Sequence, residues 1–179
     1  MSAQAEAPAG IAARLERALG LAETGFIGAA LAFSSLLLFS NVVLRYVFLA
    51  PISWAEELTL YLMVWIVFVG GSVAVRSRGH MAIDLLPLVL SPGSRRRLAI
   101  FVALLALVFF AVFFWFSGQH VLRIQSSAQT TPVMGAPMWL TYLAMPVGSF
   151  LMAMRTVQLL LRMLREKSAA TEAAMDLQD

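Results

Sequence analysis

Residues 98–122 read LAIFVALLALVFFAVFFWFSGQHVL, a run of 25 positions without an Asp, Glu, Lys or Arg. A helix crossing the hydrocarbon core of a bilayer needs about 20 such residues. The run lacks the strict apolar/polar alternation of an outer-membrane strand, and within lipid a helix satisfies every backbone N–H and C=O inside its own segment. A membrane-spanning α-helix is the expected result. Working outward, three further runs have the same character: about Thr24 to Leu44, Leu58 to Val75 and Met138 to Leu161. The first of these is too long for the apolar region of a cleaved signal peptide, about 7–15 residues, so it is read as a membrane helix too. The fold class that follows is an all-α integral membrane protein with four transmembrane helices.

Composition agrees. Apolar residues make up 60% of the 179 positions and charged residues 13%, about half the quarter usual in soluble domains. So few charges do not cover the surface of a soluble domain of this size, which argues against a soluble enzyme or a nucleic-acid-binding domain. The chain has no cysteine, so disulfides, thiolate metal sites and cysteine nucleophiles are excluded.

Orientation follows from the basic residues. Arg14 and Arg17 lie before the first span, Arg76, Arg78, Arg95, Arg96 and Arg97 between the second and third, and Arg155, Arg162, Arg165 and Lys167 at the C-terminal end; only Arg45 and Arg123 occupy the other two loops. Positive charge favours the cytoplasmic side, which predicts cytoplasmic N and C termini. Tyr46, Trp54, Trp115 and Trp139 fall near the opposite interface, as an aromatic belt does, and Trp65 does not. The expected layout is a cytoplasmic tail over residues 1–20, a membrane domain over 21–165 with spans of about 24–44, 58–75, 98–122 and 138–161, and a cytoplasmic tail over 166–179. Two short interfacial helices are expected as well, over Ile11 to Leu19 and along the proline-broken apolar stretch Met81 to Leu90.

Ser53-Trp54-Ala55-Glu56 has the form of a capping box, with Ser53 as cap and Glu56 reaching back. Glu56 and Glu57 also complement the positive end of that helix, and Arg45 is close enough through a short loop to pair with one of them. This describes either a charge-balanced hairpin or, for Glu57, a side chain facing a partner protein. His80 and Asp84 are four apart at the end of the second helix, beside Arg76, and can share a face. A helix cap with lipid-phosphate contact is one reading; a pH sensor or metal site is the other. Gly70 and Gly71, with Ser72 and Ala74, form a small-residue patch suited to close helix packing. Phe109, Phe110, Phe113, Phe114, Trp115 and Phe116 cover too broad an arc for an internal seam, so the third helix is expected to meet lipid or another subunit. Pro137 fits a first helical turn, and Pro146 with Gly148 predicts a kink.

Transport and catalysis leave signatures, and these spans lack them. No carboxylate or histidine is expected at mid-membrane, where Ser34, Ser35 and Thr59 are the main polar residues. His80 and His120 belong at opposite membrane faces and cannot clasp one haem iron within a chain. No paired acids, triad or phosphate loop is evident, so no enzyme activity and no cofactor or metal is expected.

Three blocks of residues nonetheless form a recognisable order across the four helices. The first is Asn41, Arg45-Tyr46-Val47-Phe48 and Trp54-Ala55-Glu56-Glu57, with Trp65, Phe68 and Gly70 following; the second is Arg76 through His80 and Asp84; the third is Pro132, Gly135, Pro137-Met138-Trp139, Tyr142 and Pro146-Val147-Gly148. Together they resemble the small, DctQ-like membrane subunit of tripartite ATP-independent periplasmic (TRAP) transporters, over about Leu21 to Leu164. The resemblance implies a bacterial inner-membrane scaffold that pairs with a large sodium-coupled membrane subunit. It also implies a periplasmic binding protein that delivers an organic acid, and an unfused small subunit. Arg45, Tyr46, Trp54, Glu56 and Glu57 would then form the outer hairpin that faces partners, with membrane lipids around the spans. An autonomous homo-oligomeric channel or carrier is the alternative.

Overall fold

The structure, a computed structural model, describes residues 11–84 and 92–176. It is all-helical over these residues: α1 (Ile11–Tyr46), α2 (Ala55–Asp84), α3 (Pro92–Ser126), the single turn α4 (Trp139–Tyr142) and α5 (Ala144–Asp176). Four helical stretches are long and apolar enough to cross a membrane, Glu16–Tyr46, Ala55–Arg76, Arg96–Ser126 and Trp139–Leu161.

The separate interfacial helix expected before the first span is instead the beginning of α1. No proline interrupts the stretch, so the hydrogen-bond ladder continues through all 36 residues, a rod of about 54 Å at ~1.5 Å per residue. The second expected interfacial segment, Met81 to Leu90, starts as the last turn of α2; its remainder lies outside the described residues.

The helices form a row rather than a closed ring, in the order α1, α2, α5, α3. Short connections explain the two outer pairings. The loop over residues 47–54 holds α1 against α2, and that over 127–138 returns α3 toward α4 and α5. α2 and α5 meet through small residues: a β-carbon on Gly148 would lie 2.6 Å from Phe68 Cβ and 2.8 Å from the Phe68 carbonyl oxygen. Gly71 receives Met152 in the same seam, and Ser72 and Ser149 are wholly buried. The packing expected for the Gly70–Gly71 patch is therefore realised at Gly71, whereas Gly70 only touches Ile27 of α1.

On α1 the buried positions Gly20, Glu23, Ala30, Ser34 and Asn41 recur at helical spacing and face α2. Trp65, the tryptophan outside the aromatic belt, packs edge-on against Phe26 across this contact, at 6.4 Å between ring centres. On α3 a single stripe of Ala103, Ser117 and Val121 is buried. The other faces leave Phe101, Phe109, Phe114, Trp115 and Phe116 exposed, the broad apolar arc the sequence predicts. Phe113 is half-buried and stacks on Phe68 of α2, with centroids 6.1 Å apart.

The fourth span is interrupted one turn earlier than the Pro146–Gly148 pair suggests. Pro146 has no N–H to donate to the Tyr142 carbonyl four residues before it, so the ladder lapses at Leu143 and resumes with Val147 N–H donating to Leu143 O at 3.2 Å. Leu143 itself keeps helical dihedrals, φ −60° and ψ −24°. Pro137 also stands elsewhere than expected. It forms an antiparallel bridge with Thr130 and precedes the helix, which begins at Trp139.

Candidate functional site

Two polar centres lie within the membrane domain, one toward the loops 47–54 and 127–138 and the other toward the chain termini. At the loop end, α2 begins at Ala55, with Ala55 N–H donating to Ile52 O at 3.2 Å. Ser53 thus sits in the preceding turn, and the anticipated capping box is not formed. Glu56 instead pairs with Arg45 at the end of α1. These side chains are 48% and 59% exposed. An exposed pair contributes about 0–1 kcal/mol, so Arg45→Ala should leave the melting temperature nearly unchanged in a thermal unfolding measurement. The fixed point of this hairpin is Asn41, buried on α1, whose Oδ1 accepts the Ile52 N–H at 2.7 Å.

Glu57 does not face outward; it is buried and bonded within its own chain. Its Oε1 accepts the Tyr61 hydroxyl at 2.7 Å, one helical turn on. Its Oε2 accepts two successive backbone N–H groups from the second loop, Met134 at 2.8 Å and Val133 at 3.2 Å. The loop chemistry explains why those donors are free. Thr131-Pro132-Val133-Met134-Gly135 forms one isolated helical turn, closed by Gly135 N–H to Thr131 O at 3.1 Å. Pro132 fits its start because no N–H is needed there, and Gly135 leaves it at φ +66°, a left-handed conformation natural to glycine. Thr131 is tied to Ala136 twice, by its backbone N–H donating to Ala136 O at 2.8 Å and by its Oγ1 accepting the Ala136 N–H at 2.9 Å. The exposed N–H groups at the start of the turn receive the Glu57 carboxylate as a helix start receives its cap.

Glu57→Gln replaces an acceptor-only group by one that carries N–H donors. Hydrogen exchange at Val133 and Met134 should then accelerate on the order of tenfold, with exchange in the α2–α5 seam unchanged.

Nearby, Tyr142 receives His120 edge-on at 5.0 Å, joining α3 to α4. Tyr46 and Trp54 are exposed, as are Pro132 and Pro137, while Trp139 is half-buried. The structure therefore brings Glu57 to the block containing Pro132 and Gly135, while Tyr46 remains outside the network.

The second centre is a buried ion pair that was not anticipated; it lies toward the span ends that bear the chain termini and not at mid-membrane. Arg155 is buried within the fourth span, not among the solvated basic residues at the C-terminal end, and its Nη2 donates to Glu23 Oε2 at 2.8 Å. Ser72 Oγ donates to the other carboxylate oxygen at 2.7 Å, and Arg155 Nη1 donates to Gln158 at 3.3 Å. One network thus joins α1, α2 and α5, with the two charged side chains 4% and 1% exposed. A signal was present in the sequence: Arg155 precedes Arg162 by seven positions, about 10 Å deeper along a helix. The other buried hydroxyls mostly bond their own helices, as with Thr59 to Ala55 O, Ser149 to Pro146 O and Thr156 to Met152 O.

At the terminal end Arg76 is exposed, with its guanidinium lying over Gly20 of α1. His80 and Asp84 belong to the last turns of α2, but their side chains lie outside the described residues. Among the described residues no group of three or more His, Cys, Asp or Glu has the arrangement of a metal site.

A row of four membrane-length helices, with its buried charges tied to one another and to its own loops, defines a multi-pass helical membrane protein. The chain belongs to the DctQ component family of tripartite ATP-independent periplasmic transporters, whose family description matches residues 34–166. The family and the four membrane-length helices make it a multi-pass protein of the bacterial inner membrane, in a family of transporter subunits rather than enzymes. It is 37% identical over 109 residues to the C4-dicarboxylate TRAP transporter small permease protein DctQ of Rhodobacter capsulatus, covering 59% of this chain and 46% of that protein. The matched segment is thus less than half of that relative's length. The sialic acid TRAP transporter permease protein SiaT of Haemophilus influenzae is 31% identical over 124 residues, 68% of this chain but 20% of its own length. For the isethionate TRAP transporter permease protein DctMQ of Oleidesulfovibrio alaskensis the values are 28% over 105 residues, 59% of this chain and 16% of that protein.

Proposed function

We propose that this chain is the scaffold half of a membrane pair, holding a large sodium-coupled subunit that imports an organic acid delivered by a periplasmic binding protein. The observation that carries this reading is the closure of the polar centres. Glu23, Arg155 and Glu57, the buried ionisable groups of the described spans, are engaged by internal bonds. A substrate or ion pathway needs such groups to face a cavity or to exchange partners. The large relatives support a large partner: in SiaT and DctMQ the matched segment is 20% and 16% of a much longer permease chain. Their names, with that of the Rhodobacter capsulatus relative, specify C4-dicarboxylate, sialic acid and isethionate, all acids.

In this reading the termini are cytoplasmic, because ten of the thirteen basic residues then lie on that side, Arg155 being inside the fourth span and Arg45 and Arg123 on the other side. The clamped turn at Pro132 to Gly135 and the Arg45–Glu56 hairpin face the periplasm and form a preorganised surface for the binding protein. The exposed apolar faces of α1 and α3 are available to the large subunit and to lipid.

The test is co-expression with a large TRAP membrane subunit, followed by co-purification and reconstitution with a periplasmic binding protein. Sodium-driven uptake of an organic acid should require both membrane subunits, and this chain alone should carry no flux. Flux through proteoliposomes containing only this chain would overturn the proposal in favour of a homo-oligomeric channel or carrier.

A further inference from the structure

At the terminal end of the α1–α2 pair stand two exposed arginines, Arg17 and Arg76, together with Glu16, which is half-buried and already engaged. Glu23 has given both carboxylate oxygens away, one to Ser72 and one to Arg155. One helical turn beyond Ser72 on α2 stands Arg76, and one turn before Glu23 on α1 stands Gly20. A β-carbon on Gly20 would lie 1.8 Å from Arg76 Nη1, so the missing side chain is the space in which the guanidinium lies. Arg17, a further turn along α1, is exposed as well. Neither arginine has an ion-pair partner among the described residues. Arg76 closes one membrane-length stretch, Ala55–Arg76, and Arg17 lies at the start of another, Glu16–Tyr46. Both therefore stand at the depth of lipid headgroups.

We propose that Gly20, Arg76 and Arg17 form a binding site for the phosphate of an anionic phospholipid at the terminal end of the α1–α2 contact. The glycine leaves room for Nη1 to seat end-on against α1, which anchors the guanidinium there and leaves its Nη2 and Nε side for a ligand. Its N–H groups are then held where a phosphodiester can accept two of them. The second arginine adds attraction for a net-negative headgroup. The proposal depends on the membrane location of the chain and not on its role in transport.

The test uses the full chain in nanodiscs of phosphatidylcholine, with and without phosphatidylglycerol, and measures the lipid retained after exchange into detergent by native mass spectrometry. The wild type should retain phosphatidylglycerol in preference to phosphatidylcholine. Arg76→Gln should lower that preference roughly fivefold, the factor one basic residue contributes near an anionic surface. Gly20→Ala should lower it similarly although no charge is lost, because the methyl group displaces the flexible end of Arg76. Arg123→Gln, at the opposite end of α3, should leave it unchanged. Wild-type retention by both Arg76→Gln and Gly20→Ala would overturn the proposal. So would equal stabilisation of phosphatidylcholine discs by inorganic phosphate, which would assign the arginines to a free anion.

Discussion

Arg155→Gln is expected to destabilise the protein by about 3–5 kcal/mol, the cost of removing one partner from a buried ion pair. The cause is less the lost attraction than the group left behind. Glu23, 4% exposed, would retain only the Ser72 hydroxyl bond for its charge. Glu23→Gln strands the arginine instead, and Arg155 Nε already lacks a partner in the intact network. The double variant Glu23→Gln/Arg155→Gln should recover much of the loss, since two amides can bond each other without a net buried charge. Thermal unfolding in one detergent should show a drop of at least ~6 °C for either single variant, at roughly 2–4 °C per kcal/mol for a chain of this size, and a smaller drop for the double. A double-variant loss equal to the sum of the two single losses would show that the pair has no coupling. Because the network ties three helices, the single variants should also loosen α1 from the row, which hydrogen exchange along residues 20–34 would register.

Gly148→Ala is expected to damage the α2–α5 seam far more than Gly71→Ala, although both add one methyl group to the same contact. The added carbon at Gly148 meets Phe68 Cβ at 2.6 Å, its carbonyl oxygen at 2.8 Å and its carbonyl carbon at 3.0 Å. Backbone of a helix cannot swing aside, so α2 and α5 must separate, at a cost of about 1–3 kcal/mol. At Gly71 the carbon meets Met152 Cε at 2.9 Å and Sδ at 3.0 Å, the far end of a flexible side chain. A methionine re-packs readily there, so the cost should stay below about 1 kcal/mol. Melting temperatures of the two variants, measured side by side, decide the point; equal shifts would mean that the helices can part without penalty. Because the α2–α5 seam sets the spacing of α1 and α3, whose exposed faces are the proposed docking surface, Gly148→Ala should also weaken co-purification.

The site was partly legible before the fold was known. The proximity of Arg45 to Glu56 follows from a short loop, whereas the helical turn at Pro132 to Gly135 emerges only with the fold. The sequence leaves the direction of Glu57 open because its partners are backbone N–H groups 76 and 77 positions away, and backbone donors leave no mark in residue identity. Ser53 has the chemistry of a cap, but Asn41 holds the Ile52 N–H and the helix starts two residues later.

The number of membrane-length spans and the family are legible in the chain's own residues. Both rest on local properties: an apolar run long enough to cross lipid, and residue blocks in a fixed order. Only the tertiary structure decided the row α1–α2–α5–α3, the pairing of Glu23 with Arg155 across 132 positions, and the inward turn of Glu57. A helix in lipid can be recognised from its own residues, because its backbone bonds close within it. Which of its faces turns inward depends on small residues and polar partners on other helices, and those meet only when the chain has packed.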